Sequence, residues 1–201
     1  GRMTATSVGF VDLEIEADDL IDGFPKKSAS SPSFQQLHRS ITLCNNASWD
    51  SASLDLPIAE RTINGDSTDS AIFRLGELLG ETDPTRQVNR RVFQIPFNSK
   101  NKWLLSLNES SAGWSEGGAP PLHYVKGAPD VLLPSCTSYW SHELEKTLPF
   151  DLTAQQQLVE RQNTWSRAGK RVILLCTASV STFRLSHSLQ VPIPFSSIRP
   201  R

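Results

Sequence analysis

The chain has 201 residues, 38% hydrophobic and 20% charged, which is enough to bury the core of one domain. Its net charge of −1 and pI of about 6.5 argue against a nucleic-acid-binding domain, which is usually basic. The longest apolar runs, such as residues 172–176, are far shorter than the ~20 residues of a membrane helix. The acidic N-terminal stretch also lacks the continuous apolar core of a signal peptide.

The sequence indicates neither a metal site nor a catalytic constellation. The three cysteines, Cys44, Cys136 and Cys176, lie far apart without CxxC spacing, which is typical of reduced thiols in a cytosolic protein. The four histidines lack ligand spacing such as HExxH. P-loop and dinucleotide-binding motifs are absent from the sequence. We therefore expect no metal ligand and no catalytic residue in this chain.

The first half of the chain predicts strands followed by two helices. The predicted elements are one or two strands over residues 3–16, a loop over 18–32, a helix over 33–47, a further loop over 45–57 and a short strand over 60–63. Asp66 or Ser67 is the expected N-cap of the second helix, and Asp66 and Asp69 have capping-box spacing. An apolar stripe follows and ends at Gly80. Residues 81–89 are interpreted as a connection.

Residues 91–107 predict a β-hairpin. Apolar residues alternate along both of its strands, at Phe93, Ile95, Phe97, Trp103, Leu105 and Leu107. The polar residues 98–101 have turn composition. Phe97 and Lys102, on the two sides of the turn, place an aromatic face beside a cation, which suits a flat anionic ligand such as a nucleotide. Core packing is the alternative for each apolar residue, and we assign it to Phe93, Ile95, Leu105 and Leu107.

The second half predicts a strand over residues 122–126, a short helix from Pro129 or a pair of short turns, a long helix over 152–168 and a strand over 170–178 buried on both faces. Thr153 and Gln156 are the expected capping box of the long helix, and Gly169 follows its end. Together the elements predict an α/β (α+β) fold, an antiparallel sheet of about six strands flanked by helices.

Three short polar stretches, residues 65–70, 126–130 and 169–171, have the composition of anion-binding segments. Each also has an ordinary structural explanation: a capped helix start, a tight strand-to-helix turn and a solvated helix end. Taken one at a time, they leave both explanations open.

In chain order, the segments GDSTDSA, IPFNSKNKW, VKGAPD and GKRVILLC resemble the nucleotide-binding domain of P-type cation-transporting ATPases. IPFNSxNK is similar to the sodium/potassium- and proton/potassium-pump branch and its fungal relatives, and KGAP is shared across many cation pumps. The resemblance covers about residues 1–180, which we interpret as one nucleotide-binding domain. Residues 181–201 are left as a divergent C-terminal tail, for which we expect little ordered structure.

The resemblance implies that the domain binds ATP, as Mg-ATP in the whole enzyme. The implied nucleotide-binding residues are Asp69, Phe97, Lys102, Lys126, Gly127 and Arg171. Phe97 would stack on adenine, Asp69 would face its amino group and Gly127 would let the ring approach closely. Both lysines would line the pocket, and Arg171 would reach the phosphates.

The resemblance further implies a cytoplasmic domain of a membrane-embedded pump, with the phosphorylation and actuator domains as its partners and no contact with nucleic acid or membrane. The family's DKTGT, TGD and GDGxND motifs are absent from the sequence, so we expect the chain alone not to turn over ATP. Asp69 replaces the family's usual glutamate, and Leu104 replaces a glutamine of the sodium-pump branch. These departures favour the alternative, an interaction domain that kept the fold and lost nucleotide binding.

Overall fold

The computed structural model describes residues 3–16, 31–58, 60–110, 122–179 and 195–200. Its strands are β1 (Met3–Gly9), β2 (Glu14–Glu16), β3 (Ser48–Trp49), β4 (Ile63–Asn64), β5 (Asn89–Ile95), β6 (Trp103–Ser110), β7 (Leu122–Gly127), β8 (Ser138–Ser141), β9 (Lys146–Pro149), β10 (Arg171–Ser179) and β11 (Phe195–Pro200). Its helices are α1 (Pro32–Leu43), α2 (Ser67–Leu79), α3 (Thr82–Val88), α4 (Pro129–Leu132) and α5 (Leu152–Arg167).

Seven strands form one antiparallel sheet in the order β2–β1–β11–β10–β7–β6–β5. Two small hairpin-like pairs, β3–β4 and β8–β9, lie outside it. Helices flank the sheet, so the predicted fold class is confirmed. The sequence predicts a sheet of about six strands, and the described residues form seven strands in this sheet.

Strand β10 shows how the sheet is covered on both faces. Leu175 packs with the helices α1 and α2 through Leu37 and Ile72, whereas its neighbours Leu174 and Cys176 belong to the cluster that α5 completes. Side chains alternate between the faces of a strand, so a continuous apolar run fits only a strand buried on both sides. The prediction for residues 170–178 is thereby confirmed.

Aspartate side chains cap the N-termini of α2 and α5, and the sequence predicts only the first of these two caps. Asp66 caps α2 by accepting a hydrogen bond from Asp69 N at 2.8 Å, and Gly80 follows the last residue of that helix, as predicted. The capping box predicted for α5 at Thr153 is wrong. Asp151 is the N-cap and accepts from Ala154 N at 2.8 Å, because Leu152 is already helical. Beyond α5, Gly169 has the left-handed φ of +74° that favours glycine.

Several elements differ from the sequence prediction. Residues 82–88, interpreted as a connection, form α3, and the predicted loop over 45–57 contains β3. Directly after α4, residues 133–135 form a 3-10 turn, which fits the predicted alternative of short turns, but the β8–β9 hairpin then begins at Ser138. Residues 195–200, assigned to the tail, form β11 and pair with both β1 and β10. Most of the predicted loop over 18–32 lies outside the described residues.

Phe93 is a correction to the predicted hairpin core. Its side chain is 55% exposed, because β5 is the edge strand and its register shifts between Arg91 and Phe93. Leu105, on the adjacent inner strand, is buried as predicted, and Ile95 packs against the same cluster.

The β8–β9 hairpin is held by a carboxylate from the other end of the chain. Asp12 accepts hydrogen bonds from Ser141 Oγ at 2.5 Å, His142 N at 3.0 Å and Glu143 N at 3.1 Å. Partial burial raises the pKa of Asp12, but these hydrogen bonds outweigh it and leave the pKa below its usual value.

We expect Asp12→Asn to destabilise the protein by about 1 kcal/mol at neutral pH, a value reduced for the solvent exposure of Asp12. Because the folded-state pKa is depressed, this stabilisation is present above roughly pH 4 and is lost as the pH falls through the folded-state pKa. Urea unfolding at neutral pH and near pH 3 measures it, with Asp55→Asn, at another exposed carboxylate, as the control. A deficit in Asp12→Asn that is equal at both pH values would contradict this account.

Candidate functional site

The predicted site residues converge on one end of the large sheet. β7 ends there at Gly127, which pairs with Trp103 at the start of β6 and with Leu174 near the start of β10. Arg171 begins β10 at this end, and its Nη1 donates to Thr68 Oγ1 in the first turn of α2 at 3.0 Å. The structure therefore brings together segments that are separated by up to about a hundred residues of chain.

At the centre of this end lies a buried ion pair. Lys126 Nζ contacts Asp69 Oδ1, and the two residues are only 6% and 4% exposed. The other carboxylate oxygen of Asp69 accepts from Asn46 N at 2.9 Å. Asn45 Nδ2 donates to the Asp69 carbonyl at 3.0 Å. Both oxygens of the carboxylate already hold partners within the chain, so Asp69 primarily fixes Lys126 and the end of α1.

Sequence patterns do not identify Asn45 and Asn46 as site residues. They follow α1 and have ordinary turn composition, and nothing local indicates that they hold Asp69. Only the fold reveals their role, because it brings the end of α1 against the beginning of α2.

Phe97 and Lys102 are the open part of the site. The Phe97 side chain is 59% exposed just beyond the end of β5. Lys102 N donates to Asn98 O at 2.8 Å and closes the turn, and Lys102 adopts a φ of +60°. Its ammonium lies 3.9 Å from Asp130, with both side chains largely exposed. An accessible aromatic ring and an accessible cation thus flank one turn.

Gly127 is required by strand packing. A Cβ at this position would lie 2.6 Å from Lys102 O and 2.7 Å from Trp103 Cβ. Both distances are shorter than van der Waals contact, so β6 and β7 approach this closely only with glycine. Its predicted approach to a ligand ring stays a prediction.

Leu104 lies opposite Lys126 in the β6–β7 register and is buried. It packs with Cys44 and Tyr124 in a small apolar cluster beside the ion pair. Burial raises the pKa of the Cys44 thiol to about 12 although the neighbouring Lys126 lowers it, so this thiol stays protonated at neutral pH. On the side facing β6, Lys126 is therefore flanked by a buried apolar side chain.

The chain is similar to known proteins over most of its length. The family model described as "P-type ATPase, cytoplasmic domain N" matches residues 33–195. The chain belongs to this family. The resemblance drawn from its four sequence segments is thereby confirmed.

Similar proteins are the alpha chains of ion-transporting ATPases. The sodium/potassium-transporting ATPase subunit alpha of Drosophila melanogaster is 32% identical over 149 residues, which cover 73% of this chain and 14% of the relative. The potassium-transporting ATPase alpha chain 2 of Homo sapiens is 31% identical over 177 residues, with coverages of 87% and 17%. The sodium/potassium-transporting ATPase subunit alpha of Tetronarce californica is 30% identical over 186 residues, with coverages of 90% and 17%. The chain thus spans about a sixth of the length of these relatives.

Within the described ranges, no helix is both long and apolar enough to cross a membrane. The same residues contain no group of three or more histidine, cysteine or acidic side chains that would hold a metal ion.

The buried pair makes a stability prediction. Lys126→Met leaves the Asp69 carboxylate buried without its cation, so we expect a loss of about 3–5 kcal/mol in the free energy of unfolding. Adding Asp69→Asn to Lys126→Met removes the uncompensated charge and is expected to restore most of the loss. Urea unfolding gives both values.

The control is Lys102→Met, which removes an exposed lysine from the same end of the sheet and is expected to change stability by less than about 0.5 kcal/mol. Equal losses in Lys126→Met and Lys102→Met, or a double variant no more stable than Lys126→Met, would contradict a buried, mutually dependent pair.

Proposed function

We propose that this chain is the ATP-binding domain of a P-type cation-transporting ATPase. It holds ATP, as Mg-ATP in the whole enzyme, for phosphoryl transfer to an aspartate of a separate phosphorylation domain. Since its sequence lacks the DKTGT motif, the chain alone binds ATP without turning it over. The phosphorylation and actuator domains of a membrane-embedded pump are its proposed partners. Family membership supports a nucleotide-binding domain, and the residues at the sheet end support the details.

The observation that carries the proposal is the exposed Phe97 ring beside Lys102, at the sheet end where Arg171 and the first turn of α2 also lie. A base stacks on an accessible aromatic face whatever its edge pattern. Lys102 and Arg171 carry positive charge that the phosphates need. In the proposed site, Phe97 holds the adenine, Lys102 lines the pocket and Arg171 reaches toward the phosphates.

The buried residues act in this site by positioning. Lys126 is held by Asp69 and is followed by Gly127, which lets β6 and the Lys102 turn lie directly against β7. Ala128 N donates to Lys102 O at 3.0 Å and ties this turn to the end of β7. Since rigid elements place ligand-binding groups more accurately than free loops do, these contacts support the turn that Phe97 and Lys102 flank. The predicted approach of Asp69 to the adenine amino group stays a prediction, since both oxygens of its carboxylate hold partners within the chain.

A second candidate is an interaction domain that has lost nucleotide binding. The observation that favours it is the engagement of both Asp69 carboxylate oxygens, together with the buried, apolar Leu104 opposite Lys126. These contacts occupy the carboxylate that the family resemblance assigns to the adenine amino group. A titration of the unmodified chain with ATP separates the two functions, because only the ATP-binding domain gives a saturable response.

The Phe97→Ala variant tests the proposed site. Stacking contributes roughly 1–3 kcal/mol per base in single-strand nucleic-acid binders, and a millimolar ligand has only about −4 kcal/mol of binding free energy in total. We therefore expect Phe97→Ala to weaken ATP binding by about tenfold or more, measured by NMR titration of backbone amides.

Phe93→Ala is the matched control, since it removes an equally exposed phenylalanine from the same strand region away from the turn. It is expected to bind ATP as the unmodified chain does. Unchanged affinity in Phe97→Ala, or an equal loss in both variants, would refute the assignment of the adenine to Phe97.

A further inference from the structure

A cavity lies at the end of α1, beside Asn46. It has a volume of about 250 Å³, and its polar lining residues are Thr42, Asn45, Asn46, Arg86, Asn89, Arg91 and Asn108. We call it the arginine cavity. None of these residues belongs to the proposed nucleotide site, and two of them carry full positive charges.

The arginines first serve the end of α1. This helix has no basic residue in its own last turn. Arg86 donates to Thr42 O at 3.1 Å and to Ala47 O at 2.8 Å, and Arg91 donates to Leu43 O at 2.9 Å. Cations at a helix C-terminus satisfy its free carbonyls and offset its dipole. This role explains why both guanidiniums point here.

Capping does not use the whole positive charge. The backbone carbonyls that Arg86 and Arg91 contact are neutral, and neither arginine takes part in any ion pair found among the described residues. Arg86 makes three hydrogen bonds, fewer than the N–H donors that a guanidinium carries. Burial lowers the pKa of Arg86 and the charge of Arg91 lowers it further, whereas Asp83, Glu77 and Asp69 raise it. Among the described residues no carboxylate forms an ion pair with either arginine, so both guanidiniums lie in a half-buried space without a contacting anion.

The neighbouring amides complete the surroundings of an anion. Asn46 and Asn89 lie on the cavity wall, and a side-chain amide supplies N–H donors for an oxyanion. Guanidinium groups bind tetrahedral oxyanions through paired N–H donors, and charge-assisted bonds of this kind are the stronger ones. Arg91 already uses both of its Nη groups in four hydrogen bonds, so it contributes positive charge. Each Nη group of Arg86 makes one hydrogen bond, so Arg86 contributes the remaining N–H donors.

We propose that the arginine cavity is a binding site for a small phosphate-type oxyanion, separate from the nucleotide site. The bound anion lies beside Arg86 and Arg91 and supplies the contacting negative charge that both arginines lack among the described residues. This inference does not depend on ATP binding at Phe97.

Asn46 is the natural place for a test, because it contacts both regions. Its side-chain Oδ1 accepts from Arg91 Nη1 at 2.6 Å, while its backbone N–H donates to Asp69. Asn46→Asp keeps an oxygen for Arg91 and places a fixed negative charge in the cavity. Because Asn46 is exposed, we expect this variant to fold normally.

The experiment titrates the full chain with inorganic phosphate at constant pH and ionic strength, with chloride as the balancing anion, and follows the amide signal of Asn45 by NMR. We expect a saturable shift at millimolar phosphate in the unmodified chain. Asn46→Asp is expected to weaken binding at least about tenfold, since the internal carboxylate competes for the same cations.

Arg90→Gln is the matched control. It lowers the net charge by one, as Asn46→Asp does, but Arg90 is exposed, pairs with Glu109 at 3.4 Å and does not line the cavity. Phosphate binding to Arg90→Gln is expected to be unchanged. Asn89→Asp, which places the charge on another part of the cavity wall, repeats the test independently of Asn46.

A shift that increases linearly without saturation, as for chloride alone, would overturn the proposal. So would equal half-saturation concentrations in the two aspartate variants and Arg90→Gln. ATP titration of the same variants keeps the two proposals apart, since loss of phosphate binding with intact ATP binding concerns the arginine cavity only.

Discussion

The arrangement of the candidate site depends on the buried ion pair between Asp69 and Lys126. It joins the first turn of α2 to the last residues of β7, and Asn46 N links the same carboxylate to the end of α1. A buried charge without its partner is strongly destabilising, so each member keeps the other in place. The proposed ligand-binding groups, Phe97 and Lys102, are exposed and are positioned by the turn that this pair and Gly127 support.

The residues around Lys126 limit how the proposed site can recognise a base. An aspartate at position 69 lies in direct contact with Lys126, and the buried Leu104 lies opposite the lysine in the strand register. In the proposed site, recognition of the base depends on the stacking surface more than on hydrogen bonds to its edge. The arginine cavity shares Asn46 with this arrangement, so two charged sites meet at one short segment after α1.

Features set by neighbouring residues could be predicted from the sequence. The Asp66 cap, the Gly80 end, the two-sided burial of β10 and the β5–β6 hairpin all follow from composition and periodicity over a few residues. The four sequence segments also indicated which residues meet at the sheet end. Features set by distant residues could not be predicted. Asp12 organises a hairpin about 130 residues away, and Phe93 is exposed because its strand lies at the sheet edge.

The most direct test of the account locates the base itself. Intermolecular nuclear Overhauser effects between the adenine protons of bound ATP and the protein identify the ring on which the base stacks. The account predicts contacts from adenine to the Phe97 ring and to the side chain of Lys102. Saturable ATP binding with adenine contacts to other residues and none to Phe97 would contradict it.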